Sequence, residues 1–531
     1  MNRSTLSLLA VATALAAITG LSALTAPDGG DTTTGTAAPA QLPVERSSLL
    51  CPAPSTSEVA ETTYTSFTPA GTGGQQAGAA GKAAAKAELK PSAATKESTT
   101  ADPKKTDDKK TDQEKSEEAK GDAEAKKPLA ADKPVLTVAA PGKPVTAEAN
   151  GADAPALIGL ASGSLAPGWT TQQTTSVPAG SARGLLGVSC TAPDTDFWFP
   201  AASTAENRRD YVHLTNPDDA AAVVDVELYG PEGVLKSQLT DGIPVPARSS
   251  VPVLLSTLTA EPATTDVTVH VTTRSGRVGA VVRSAVDQLG SDWLPASADP
   301  AGTLVLPGIP ADATSVQLVA FAPGEDDAEL KIQLVGANGT ITPAVQQSLR
   351  VKSGMTASAD LRNVTNGEAG SLLLSPAQSS RATPVVAALR VVRGAGEKQE
   401  VAFIPATAPV GTRATVADNR AKGTTLALTA PVEAAEVRVT ASAGTEGGTP
   451  VSKTYTVKAG TTLAVAPPVP AGLKGSYALT VETLSGGPVH AARMLALPED
   501  GIAMFTVQTL TDDRGTVAVP RARQDLSVVA R

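Results

Sequence analysis

Apolar and polar residues alternate with a period of two over long stretches of this chain. Val224, Val226 and Leu228 alternate with Asp225 and Glu227, and Leu330, Ile332 and Leu334 with Lys331 and Gln333. Val437 and Val439 alternate with Arg438 and Thr440, and Val267, Val269 and Val271 with Thr268, His270 and Thr272. Successive side chains of a strand point to opposite faces, so each run predicts a strand with one face in a core and the other in water. Turn formers separate the runs at Tyr229-Gly230-Pro231-Glu232-Gly233, Ala337-Asn338-Gly339-Thr340 and Ala443-Gly444.

The same landmarks return at a step of about 106 residues. Phe199-Pro200, Leu306-Pro307 and Ile404-Pro405 open the units, and strands ending in proline follow at Tyr211–Pro217, Val316–Pro323 and Thr424–Pro431. Next come Val245-Pro246-Ala247-Arg248, Val351-Lys352-Ser353-Gly354 and Val457-Lys458-Ala459-Gly460; a strand carrying Arg283, Arg390 or Arg493 closes each unit. About six or seven short strands per step match an immunoglobulin-like β-sandwich. The chain is therefore expected to be all-β, with sandwich repeats at 197–300, 301–400 and 401–500. A β-propeller is the alternative, but its blades recur at about 40–50 residues, and no echo at half the observed step is present. In the tail, 501–531, Phe505–Leu510 and Thr516–Pro520 are expected to form a hairpin across Asp512–Gly515.

Ahead of the repeats the pattern changes several times. After Arg3, Leu6 to Leu24 carries no charge, which predicts an N-terminal apolar helix in 1–26, either a signal peptide or an uncleaved membrane anchor. A cut after Ala26 would place Leu24 where a small residue belongs, with Pro27 following. Both readings put the remainder outside the cytoplasmic membrane and confine membrane contact to residues 6–24. Residues 27–42 read as a spacer and 43–69 as an N-terminal β segment that includes Thr62–Phe67. Residues 70–133 read as a disordered low-complexity insert with a short helical run near Lys82–Leu89. Within it Asp102–Lys127 sets eight lysines against nine acids and has almost nothing apolar to offset the entropy of ordering. Residues 134–196 continue the β region.

Composition narrows the function. Aromatics are 3 % of the chain, so cores must rest on Val, Leu, Ile and Ala. The net charge of −9 supplies no basic excess to release counterions, which argues against nucleic-acid binding. Cys51 and Cys190 are an even pair in a chain read as exported, and are expected to form a disulfide. A structural metal site would need about four ligands, which two distant cysteines do not make.

Candidate chemistry is sparse. No nucleophile elbow, phosphate-binding loop or zinc-protease motif occurs. His213, His270 and His490 fall on polar phases and are expected to be solvated, and Asp194 and Asp196 read as a turn. Trp169 and Trp293 lie in loop-like contexts, where an exposed indole serves as a glycan platform, although core or loop packing is the commoner use. No catalytic residue, cofactor or metal is assigned.

The run Cys190-Thr191-Ala192-Pro193-Asp194-Thr195-Asp196-Phe197-Trp198-Phe199-Pro200 resembles the hallmark of an actinobacterial family of secreted or membrane-anchored proteins known only as a domain of unknown function. Cys51-Pro52, the N-terminal apolar segment and Asn216-Pro217 are similar to that family too; the Lys/Glu-rich insert is not part of its pattern. The resemblance spans about 185–520 and, more loosely, 1–55. It implies a cell-envelope protein, often encoded near a membrane glycosyltransferase, and carries no catalytic residues over. The resulting expectation is an extracytoplasmic, non-enzymatic β-sandwich scaffold or docking module for an envelope protein or cell-wall glycan. The alternatives are a carbohydrate-binding module for cell-wall glycans using Trp169 or Trp293, and a hydrolase with dispersed carboxylates.

Overall fold

The computed structural model describes residues 39–71, 85–93, 133–377 and 382–519. The N-terminal apolar helix and most of the low-complexity insert lie outside the described residues. Two units are distinguished: one comprises residues 1–42 and 517–531, the other Pro43–Thr516. Among the described residues of the larger unit the elements are strands and three short 3-10 turns. No described helix is long and apolar enough to cross a membrane.

The alternating runs are the strands that the sequence predicts. Ala222–Gly230 buries Val224, Val226 and Leu228 on one face, and Ala328–Gly336 does the same with Leu330, Ile332 and Leu334. They build immunoglobulin-like sandwiches rather than single propeller blades, because every repeat closes two sheets over its own core.

Among the described residues there are four sandwiches, one more than the repeats predict. The first pairs the sheet Arg46–Cys51, Leu157–Ser162, Lys86–Pro91, Leu136–Val138 with the sheet Val145–Asn150, Glu61–Phe67, Thr170–Val177, Gly184–Ser189. The insert splits this sandwich, which hides its step in the sequence. Lys86–Pro91 is a strand there, not the expected helical or disordered stretch. Its alternation buries Ala87 and Leu89 against Trp169 and the disulfide, a gain that a short solvated helix could not match.

The other three sandwiches run from Asp196 to Leu294, Leu304 to Pro405 and Arg413 to Leu510. The boundaries shift from those expected because Ile404-Pro405 ends the third sandwich instead of opening the fourth. Phe505–Leu510 is the edge strand of the fourth sandwich, paired with His490–Ala496, and Thr516–Val519 pairs with Ala40–Pro43. The expected C-terminal hairpin is therefore not formed: Leu510 is buried in the fourth sandwich's core, and Phe505 and Val507 are buried against the third sandwich, where an isolated hairpin would leave them in water.

Within the larger unit, each sandwich lays its first strand on a sheet of the next. Phe199 shares a core with Val319, Ala388 and Phe403 of the third sandwich, and Leu306 with Ala492 and Val507 of the fourth. Arg413–Asn419 of the fourth returns to the first, where Ala417 and Ala478 meet Phe67. Leu50 of the first sandwich lies against Gly279 of the second. The last strands Gly184–Ser189, Gly290–Leu294, Glu400–Pro405 and Phe505–Leu510 meet in the same cyclic order. Cys51, ending the first strand, is disulfide-bonded to Cys190, just beyond the last strand of the same sandwich, with Cα atoms 4.5 Å apart.

Candidate functional site

Edge strands leave backbone amides without ladder partners, and a buried edge must find other acceptors. At the junction of the four last strands, two carboxylates from neighbouring sandwiches supply them. Asp292 Oδ1 accepts the Gly187 amide at 3.0 Å and the Trp293 amide at 2.8 Å. Thr506 of the fourth sandwich donates to Asp292 Oδ2 at 3.0 Å, and Gln508 Nε2 donates to Thr506 Oγ1 at 2.7 Å. Glu400 Oε1 accepts the Leu185 amide at 2.9 Å.

Both acids are buried, and burial raises both. It lifts Asp292 well above the ordinary carboxylate range despite its amide donors, and pushes Glu400 up to about 7 against the pull of Arg183 and Arg393. Gly187 is required beside them, since an added Cβ would run into Gln508 and Thr506. Neither carboxylate is legible from local patterning, because the junction joins strands far apart in the chain.

A second buried group lies inside the second sandwich. Arg208 Nη2 reaches Asp210 Oδ2 at 2.6 Å, Ser284 Oγ at 3.0 Å and the Ala201 carbonyl at 2.9 Å, while Ser284 donates to Asp210 Oδ1 at 2.7 Å. Burial raises the Asp210 carboxyl, opposed by Arg208. The group ties down the bulge at Ala201, which sits at φ 75°.

The tryptophans singled out from sequence are not platforms. Trp169 is 4 % exposed, packs in the first sandwich with Cys51 and Cys190, and donates to Ser66 Oγ at 2.8 Å. Trp293 is 1 % exposed and lies on an edge strand against Val188 and Val281. Their loop-like sequence contexts hid strands and turns that aim the rings inward, so glycan binding cannot use them as exposed faces.

Two of the three histidines also depart from expectation. His213 is buried edge-on against Trp293 at 5.2 Å; burial first, then Arg283, hold its pKa well below normal. His490 is buried, with Nδ1 3.0 Å from the Thr407 carbonyl, and burial lowers its pKa to about 4. Polar phase misled here because strand faces turned from one core are covered by the neighbouring sandwich. Only His270 is half-buried, stacked on Trp198 at 3.6 Å, with Asp196 Oδ2 at 3.2 Å from Nε2 and Glu227 Oε2 at 3.6 Å from Nδ1.

The three strand-closing arginines are not equivalent either. Leu389 and Ala491 are matching core residues, opposite Ile404 and Leu510 on the last strands, so Arg390 corresponds to Ala492. Arg493 is shifted by one residue, fully buried, and donates to the Ala417 carbonyl at 3.3 Å. Among the described residues no group of three or more His, Cys, Asp or Glu is placed to hold a metal ion.

An open cleft of about 680 Å³ lies between the third and fourth sandwiches. Its floor includes Gly308, Ala427 and Ala492, and its rim includes Asp312, Glu368 and Lys458.

No curated protein and no solved structure matches this chain. The model of one family, described as a family of unknown function, DUF5719, matches residues 145–468, from within the first sandwich to within the fourth and more than half of the chain. The chain therefore belongs to the family of unknown function DUF5719.

Proposed function

We propose that this protein is an exported cell-envelope component whose four sandwiches form a rigid scaffold that docks a partner, an envelope protein or a cell-wall glycan, without turning it over. One observation carries the reading. The carboxylates most perturbed by burial, Asp292, Glu400 and Asp210, are committed to amides of adjoining strands or to a buried arginine. Perturbed acids of a hydrolase would instead face a cleft. Export is supported by the charge-free run Leu6–Leu24, by the disulfide, and by the resemblance of Cys190–Pro200 to secreted actinobacterial proteins.

The test is cross-linking in intact cells followed by affinity isolation of the full chain from envelope extracts. Recovery of one protein or glycan in fixed ratio supports the reading. Recovery of the chain alone, or turnover of an envelope glycan by the isolated protein, overturns it.

A further inference from the structure

The interface of the second sandwich with the third and that of the third with the fourth share one plan, and the departure from it is informative. In both, a bulged first strand lies on a sheet of the next sandwich. The bulges fall between Phe199 and Ala202 and between Leu306 and Ile309. Behind them a threonine of the next sandwich donates to a carbonyl at 2.7 Å: Thr356 to Tyr229 in one interface, Thr462 to Val335 in the other.

The side chains beneath the bulge differ. Between the second and third sandwiches the paired residues Gln317 and Arg390 occupy the sheet face, and Gln317 Nε2 donates to Asp266 Oδ2 at 3.2 Å. Between the third and fourth, the matching pair is Ala427 and Ala492. Gly308 takes the place of Ala201 at the bulge, with φ +87°, and an added Cβ would stand 2.7 Å from that of Ala492. Two long polar side chains and one methyl group are thereby absent, and the 680 Å³ cleft opens where they would lie. That size is in the range of small-molecule sites, about 300–1,000 Å³.

The lining specifies the ligand chemistry. Small residues and the aliphatic parts of Ile309, Leu463 and Met494 give an apolar floor. Thr425 and Thr456, with Glu368 and Lys458, line the cleft with no side-chain hydrogen bond or ion pair among the described residues. The charges balance: Arg393 holds Asp312 through two contacts of 2.8 and 2.7 Å, and Glu368 is matched by Lys458. A neutral ligand with apolar C–H faces and many hydroxyls fits this combination.

We infer that the cleft between the third and fourth sandwiches is a binding site for a neutral oligosaccharide. The site is independent of the scaffold role: a glycan bound here need not be the docked partner.

The test is calorimetric titration of the full chain with two neutral linear tetrasaccharides, cellotetraose and chitotetraose. Two variants accompany it: Ala427→Gln restores the side chain of the preceding interface, and Glu368→Ala trims an exposed rim residue and leaves the fold intact. Saturable binding of at least one sugar, weakened about tenfold or more by each variant, is expected. Should Ala427→Gln fail to fold, Glu368→Ala decides alone. Binding of neither sugar, or binding unchanged in the folded variants, overturns the assignment.

Discussion

The Glu400 carboxylate of the third sandwich accepts the Leu185 amide of the first at 2.9 Å, a link between residues 215 positions apart. Arg183, Arg393 and Asp292 are the charged groups that act on this pair. Burial sets Glu400 at about 7 in the folded chain against an ordinary 4.5. Between those values the folded state binds more protons than the unfolded one, so stability falls as pH rises through the window. The loss integrates to on the order of 3 kcal/mol. Asp292, also raised, acts with the same sign. Thermal melts at pH 5 and pH 8 will show a lower Tm at pH 8, and Glu400→Gln, which keeps an acceptor for Leu185, will narrow that gap. An unchanged gap would remove Glu400 as its source.

Gly187 gives the same junction a steric test. Gly187→Ala drives a methyl group into Gln508 and Thr506. It should cost about 1–3 kcal/mol in denaturant melts. Gly324→Ala, where an added Cβ meets nothing within 4 Å, is the control; it should change stability by less than about 0.5 kcal/mol.

The Arg208–Asp210 pair is nearly inaccessible, with side chains 1 % and 0 % exposed. Removing one partner strands the other charge. Arg208→Met alone should destabilise by about 3–5 kcal/mol, and Arg208→Met with Asp210→Leu by much less. A double-mutant cycle by urea denaturation checks the sign; additive losses would mean that the two charges are not coupled.

Reducing the Cys51–Cys190 bond, 139 positions apart, releases a long loop from the unfolded chain. The chain-entropy model caps the stabilisation at about 5 kcal/mol. Differential scanning calorimetry with and without reductant should lower the transition that contains the first sandwich.

The period-two runs make the strands and the sandwich class legible, because both depend on local alternation, and the disulfide is legible from Cys51 and Cys190 as an even pair in a chain read as exported. The first sandwich was not legible as a repeat, since the insert parts Glu61–Phe67 from Val145–Asn150, its sheet neighbour. Ile404-Pro405 departs from the repeat plan for a similar reason: a hydrophobic-proline pair ends one unit as readily as it opens another. The sequence contexts of Trp293, His213 and His490 point to loop or solvent because one strand reports only its own two faces, not what the next sandwich lays upon them. Asp292, Glu400 and the Ala427–Ala492 floor came solely from the way the sandwiches close on one another.

On the proposed reading, an exported scaffold is held by an oxidised first sandwich, and thiol trapping in intact cells combined with fractionation reads both properties at once. Cys51 and Cys190 should resist alkylation until a reductant is added, and the chain should be found with the envelope. Two freely alkylated thiols in a cytosolic pool would contradict it.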